Sequence, residues 1–427
     1  MTWYSINSTG TINRMATDNR NLMSFNADNI SQVLSLFGQL PSDKKQLLLR
    51  MLGLNQERDV FALLDDSQTL FAYPEYRLHK ILLLYVSPLL LVLGTFGNIF
   101  SVFIMRQRSM IRMSAYVYLI HLAVADSMVL YIGLLRLWIS ELTGMDIRNQ
   151  TAWLCKLVIF SGYVSSNLSV WLIIAVTVER YIVVCHPLKV NKFCTVPRAK
   201  RVVLGLLVLF VLIHVHFFWT VTLNQLDLNG VDKHYCGSRK NFHYLVSVAW
   251  PWIDAIFYSF LPFVAILFFN TLIIRRIIIL SRGAMKMQSA QSNLLQVRRC
   301  HNDSSRKLTL MLLTLSFTLL LTTLPLPVSL ILAHFWNDKA TRDFDSAAKY
   351  QLTKTIAELM MYLNHSMNFI LYCAMGHKFR HQIVRMFCNR HNNMQGLADH
   401  THHIYCSRYC SAQGNVSNQK QCSDTGV

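Results

Sequence analysis

Charge is scarce in this chain. Of 427 residues only 15% are Asp, Glu, Lys or Arg, while 53% are hydrophobic. A soluble protein normally carries about 25% charged residues, so a single soluble domain is excluded and a membrane protein is indicated. Acids are the scarcer sign, 22 against 41 Lys and Arg, which leaves a formal net charge of +19. Basicity of that size can mean nucleic acid, but no basic face is interleaved with exposed aromatics, and no nucleic-acid partner is expected. The ten cysteines include no CxxC pair and no zinc spacing, which excludes a disulfide scaffold and a metal cluster. HExxH, a nucleophile elbow and a GxGD-like aspartate pair are missing too, so an enzyme is not expected. The N-terminal residues are polar and show no signal-peptide pattern. The first long apolar run starts at Ile81 and is expected to act as an uncleaved signal anchor.

What the chain does have is seven apolar runs, each near the ~20 residues needed to cross hydrocarbon as a helix. They fall at about 81–105, 115–139, 154–185, 202–223, 246–274, 308–335 and 352–375. The first, third and fifth loops between them are basic: Arg106, Arg108 and Arg112; Lys189, Lys192, Arg198, Lys200 and Arg201; Arg275, Arg276, Arg282, Arg298, Arg299, Arg306 and Lys307. The alternate loops mix both signs. The positive-inside rule puts the basic loops in the cytoplasm and the N-terminus outside. Residues 1–79 then form an extracellular segment with glycosylation sequons at Asn7 and Asn29, and Asn149 heads a third sequon on the same side. Val33 to Leu64 is leucine-rich and reads either as a short amphipathic helix or as a loosely ordered tail. The bundle occupies 80–375. Residues 376–390 carry Phe379, Ile383, Val384, Met386 and Phe387 among basic residues, which describes an amphipathic helix on the inner membrane surface. Cys388 at its end is a palmitoylation candidate. Residues 391–427 read as a disordered cytoplasmic tail, in which His400, His402, His403 and Cys406 belong to the tail rather than to a metal site.

A secondary transporter would show inverted repeats and helices broken near the midplane. Neither is visible, and seven spans do not divide into equal halves. The third run instead carries the most information. It starts at Cys155 and ends in Glu179-Arg180-Tyr181, followed by His186-Pro187-Leu188. A carboxylate beside an arginine at the end of a membrane span is costly and needs a reason.

Gly97-Asn98, Leu122-Ala123-Val124-Ala125-Asp126, the spacing from Cys155 to Arg180, Cys236 in the next outer loop, Pro262, Pro325 and Asn368-Phe369-Ile370-Leu371-Tyr372 follow in order. Over about residues 81–388 the chain resembles a rhodopsin-like (class A) G-protein-coupled receptor, and within that family the invertebrate neuropeptide receptors of the FMRFamide and myosuppressin type. The resemblance implies an all-α, seven-transmembrane helix bundle at the plasma membrane that binds an extracellular peptide and activates heterotrimeric G proteins. Arrestin-like regulators and membrane lipids would be further partners, with Ser407, Ser411, Ser417 and Ser423 open to phosphorylation. A receptor of the same fold for a lipid is the alternative. Four positions depart from the pattern. Phe369 replaces the seventh-span proline, Thr322-Thr323-Leu324 replaces the tryptophan-bearing run before Pro325, Asn270 replaces the fifth-span tyrosine, and the fourth span lacks its usual tryptophan.

The resemblance also assigns roles. Cys155 and Cys236 would form a disulfide. Arg136, Trp138, Tyr163, Ser166, Asp254 and Glu358 would lie where ligand pockets form; Arg136 and Glu358 would either pair with each other or leave Glu358, with Asp254, to receive a ligand cation. Glu179, Arg180, Tyr181, Pro187, Leu188 and Tyr372 would make the switch and the coupling face. Ser305 sits where a second acidic partner for Arg180 is common, so ligand-free signalling is expected. Gly162 stands where amine receptors need an aspartate, and Tyr362 where opsins need a lysine, which argues against both classes. Asn98, Ser169, Asn364 and Asn368 would surround Asp126, mid-span. Their oxygens suit a small hard cation such as sodium. A hydrogen-bonded network around Asp126 is the alternative, with His365 as a neighbour that competes for the place.

Overall fold

The computed structural model describes residues 70–376 and 379–386, apart from 109, 229–230, 288–293 and 330–343. The sequons at Asn7 and Asn29, the 33–64 segment, Cys388 and the serine-bearing tail lie outside the described residues.

Among the described residues, six helices are long and apolar enough to cross a membrane: Pro74–Met105, Ser114–Thr143, Ala152–Cys185, Val196–Thr220, Leu245–Leu280 and Leu308–Ser329. They are the first to sixth spans. A seventh follows as two helices, Phe344–Ser366 and Asn368–Met375. It is the most polar of the set because Lys349, Lys354, Glu358 and His365 sit on it. The first and second spans extend beyond their sequence-predicted limits by about two turns and one turn. The fourth stops at Thr220 rather than 223, where the chain turns into a strand. The seventh starts at Phe344 rather than 352, since a charged first turn can stand above the hydrocarbon.

The third span is the axis. It packs against the second, fourth, fifth and sixth, and small side chains at Gly162, Ser165, Ser166 and Ser169 are buried in it. The fourth and fifth spans are peripheral, with only 22% and 17% of their apolar windows buried, against 61% for the second and sixth. Leu89, Phe96, Leu212, Val264 and Leu321 point outward and exposed. In water such a surface would be a liability; here it is the face that lipid covers.

Two departures from a plain helix bundle were not legible in the sequence. The second extracellular loop is an antiparallel hairpin, β1 Val221–Leu228 with β2 Val231–Ser238, so the fold is not strictly all-α. Four stretches among the described residues are π-helical: Leu82–Val86, Leu130–Leu135, Leu245–Ala249 and Ile256–Phe260. In addition, the seventh span does break, at Met367, between its two helices. After it, residues 379–386 are helical, and buried Phe379 lies on Phe369 and Tyr372 at ring distances of 5.8 and 5.6 Å.

Candidate functional site

At the extracellular end, Cys155 and Cys236 form a disulfide. It ties the start of the third span to β2, and Asn149 reinforces it by accepting a hydrogen bond from the Cys236 N–H at 2.9 Å. The Asn149 carboxamide is therefore half-buried against the hairpin, and Thr151 of the same sequon caps the third span by accepting from the Leu154 N–H.

Below this lid lie the proposed ligand residues, and the structure sorts them. Tyr163 is 1% exposed. It is stacked with His214 and Phe217 and edge-on to Trp250, at 5.5, 4.9 and 6.2 Å. It belongs to an aromatic cluster joining three spans rather than to an open wall. Aromatic pairs of this geometry are worth about 0.5–1.5 kcal/mol each beyond burial, so the cluster fixes how the fourth and fifth spans dock. Trp138 is likewise engaged: its indole N–H donates to the Leu84 carbonyl at 3.1 Å. That carbonyl sits in the first π-helical stretch, where the widened turn disturbs the helix's own hydrogen bonding.

Arg136 follows the second π-helical stretch directly and is buried. Its partner is Asp146, at 2.6 Å, not Glu358. Asp146 also takes the Arg148 guanidinium at 2.7 Å and the Arg148 backbone N–H at 3.0 Å. Burial alone would push the Asp146 carboxyl up, but the two guanidiniums outweigh it and hold the carboxyl below its ordinary range. Asp146 was legible only as one loop charge among several. The signal that marks it is the arginine two residues on, in a tight turn that an aspartate can cap.

Asp254 is buried in the fifth span, between its two π-helical stretches. It accepts from Asn167 Nδ2 at 3.2 Å, a residue the sequence reading did not single out. Ser166 is buried beside Asn167 on the third span. Glu358 is buried in the seventh span with Lys354 one turn away at 3.8 Å. Two carboxylates in membrane-spanning helices are expensive and default to function. Asp254 stands on the fifth span and Glu358 on the seventh.

At mid-span Asp126 is fully buried. Ser169 Oγ donates to its Oδ1 at 2.6 Å, His365 Nδ1 lies 2.7 Å from the same oxygen, and Asn368 Nδ2 donates to Oδ2 at 2.6 Å. Two of the expected cage members are elsewhere. Asn98 Nδ2 donates to the His365 carbonyl at 3.2 Å, and neither polar atom of buried Asn364 makes a hydrogen bond among the described residues. The arrangement is a hydrogen-bonded network with His365 inside it. The His365 ring nitrogen shares Asp126 Oδ1 with the Ser169 hydroxyl, and an imidazole in that place does not fit a small hard cation, which takes oxygen donors.

At the cytoplasmic end Arg180 and Glu179 pair at 2.7 Å, both buried. Tyr181 meets the His186 ring and Phe269 of the fifth span. The loop 3-10 helix Pro187–Lys189 exposes Leu188 almost completely, at 97%. Asn270 Nδ2 donates to Ser316 Oγ at 2.7 Å, tying the fifth span to the sixth where both are buried. Tyr372 is buried against Phe379.

A bundle of membrane helices with a disulfide-tethered outer loop, a buried polar core around one aspartate and a paired arginine at the inner end defines a signalling receptor. The chain belongs to the rhodopsin family of seven transmembrane receptors, whose profile matches residues 97–372. It is thus a class A G-protein-coupled receptor, a multi-pass protein of the plasma membrane. Among its relatives, the thyrotropin-releasing hormone receptor of Mus musculus is 27% identical over 331 residues, 74% of this chain and 80% of the relative. The FMRFamide receptor of Drosophila melanogaster is 25% identical over 309 residues, 70% of this chain and 52% of the relative. The sex peptide receptor of the same fly is 24% identical over 345 residues, 76% and 75%.

Proposed function

We propose that this receptor binds an extracellular neuropeptide at the outer mouth of the bundle and activates heterotrimeric G proteins through its inner face. The observation that carries the reading is the pair of buried acids, Asp254 and Glu358, beneath a tethered outer loop in a chain similar to the FMRFamide and sex peptide receptors. The two carboxylates receive cationic groups of the ligand as charge-assisted hydrogen bonds, and the arginine of an RFamide-type peptide has that chemistry. Arg136 is committed to Asp146 and shapes the mouth rather than contacting the ligand first. On activation Arg180 leaves Glu179 and meets the G protein, with Leu188 as the apolar contact on the neighbouring loop. Phosphorylation of the tail serines then recruits arrestin-like regulators, and Cys388 anchors the inner helix to lipid through a palmitoyl chain.

The test is a calcium and cAMP screen of a peptide library on cells expressing the full chain. Activation by an amidated basic peptide, weakened at least tenfold by Asp254→Asn or Glu358→Gln, supports the reading. Activation only by lipids or amines overturns it. GTP-sensitive agonist affinity in membranes is the expected mark of a receptor as opposed to a transporter.

A further inference from the structure

The polar core raises a question that peptide binding does not answer, namely what balances Asp126. A buried carboxylate needs either a cation or a full set of donors. Here three side chains face it. Oδ1 faces Ser169 Oγ and His365 Nδ1, and Oδ2 faces Asn368 Nδ2, at 2.6, 2.7 and 2.6 Å. His365 also lies 3.5 Å from Ser169 Oγ through the same ring nitrogen, so the imidazole stands beside both the aspartate and the third-span hydroxyl that bonds it.

Two further features hold it there. The Asn98 side chain donates to the His365 backbone carbonyl. The helix break at Met367 lies between His365 and Asn368, and both residues reach Asp126 across it. The Asn368 carboxamide presents its Nδ2, not its oxygen, to Asp126 Oδ2. Asn364 Oδ1 and Asn368 Oδ1 are buried and neither takes part in a hydrogen bond among the described residues.

We propose that His365 occupies the place of a small cation beside Asp126, and that this receptor does not bind sodium in its core. Whichever of the two groups holds the shared proton, the Asp126 lone pair facing His365 is used in that bond and is not offered to a metal. Sodium therefore does not act as an allosteric ligand of this receptor, and a single residue is what prevents it. Replacing the imidazole with a hydroxyl would leave Asp126 Oδ1, Ser169 Oγ and the new hydroxyl grouped as hard oxygen donors, the chemistry that a small cation needs.

The experiment uses the purified full-length receptor and needs no identified ligand. Unfolding temperature is measured in sodium chloride and in potassium chloride at equal ionic strength, about 0.15 M, for wild type, His365→Ser, and His365→Ser with Asp126→Asn. A ligand that binds only the folded state raises its stability by mass action. Wild type is expected to unfold at the same temperature in both salts. His365→Ser is expected to gain a sodium-specific rise of a few degrees, and the double variant to lose it. A sodium-specific rise in wild type that Asp126→Asn abolishes overturns the proposal. So does a folded His365→Ser receptor indifferent to sodium. If the serine variant does not fold, sodium NMR decides on wild type alone: saturable line broadening that depends on Asp126 overturns the proposal, and its absence is the expected result.

Discussion

Asn270 shows how one unusual residue changes a switch. It stands where this family commonly carries a tyrosine, and the shorter carboxamide reaches sideways to Ser316 instead of down towards the inner face. The bond is buried on both sides and crosses from the fifth span to the sixth. The proposal that Arg180 leaves Glu179 on activation assigns this bond to the resting arrangement. A buried neutral hydrogen bond contributes about 0.5–1.5 kcal/mol net, or roughly fivefold in a two-state ratio. Asn270→Ala is therefore expected to raise ligand-free signalling several-fold, Ser316→Ala to do the same, and the double variant to add little. Cyclic AMP or calcium baselines normalised to surface expression check this. Additive effects would show that the two residues act separately. The same single-residue logic applies to Arg136: its neighbour in the fold is Asp146, ten positions on, and no property of Glu358 in the sequence announces that it loses the competition.

At the level of elements, the seventh span replaces a proline with packing. It breaks at Met367 without one, and Ser366 Oγ donates back to the Tyr362 carbonyl at 2.9 Å just before the break. Hydroxyls bonded to the preceding turn often bend helices. Phe369, in the proline's place, lies over Gly97 of the first span, where an added Cβ would sit 2.9 Å from the Phe369 Cβ. Gly97→Ala is expected to destabilise the receptor by about 1–3 kcal/mol through overpacking, and Phe369→Gly, which removes the Cβ that the new methyl would meet, to relieve most of that in the double variant. Thermal unfolding of the four proteins of the cycle measures it, and full additivity would mean the two residues do not share the contact. The sixth span uses the same device without its tryptophan. Thr322 and Thr323 donate to the Thr318 and Leu319 carbonyls at 2.8 and 2.6 Å, one turn ahead of Pro325.

Across the whole molecule the outer lid depends on one cross-link. The Cys155–Cys236 bridge closes a separation of 81 residues, which includes all of the fourth span and the first strand of the hairpin. Removing a native disulfide typically costs about 2–5 kcal/mol. The Cys155→Ser, Cys236→Ser double variant is expected to lose most of its surface expression, as read by flow cytometry on intact cells. An unchanged unfolding temperature in the variant would show that the Tyr163 cluster alone holds the outer ends together. That cluster and the bridge act on the same elements. Both fasten the third span to the segment from His214 to Trp250.

Hydrophobic runs and loop charge indicated seven membrane spans and their orientation, and the family resemblance carried by the ordered motifs implied the receptor and its disulfide. Each of those signals is local or set by simple spacing, and membranes permit few ways to satisfy a backbone. Partner choice was beyond the sequence. It could name Asp126, Asn98, Asn364, Asn368 and His365 together, but the packing of the helices decides that His365 and Asn368 bond the carboxylate while Asn364 does not. The hairpin was hidden inside an apolar boundary at Val221, where a helix end and a strand start look alike. The π-helical turns left no pattern of their own, yet they precede Arg136 and bracket Asp254. A polar group inside the bundle takes whichever donor the helix packing brings within 3 Å, and that distance is a property of the tertiary structure alone.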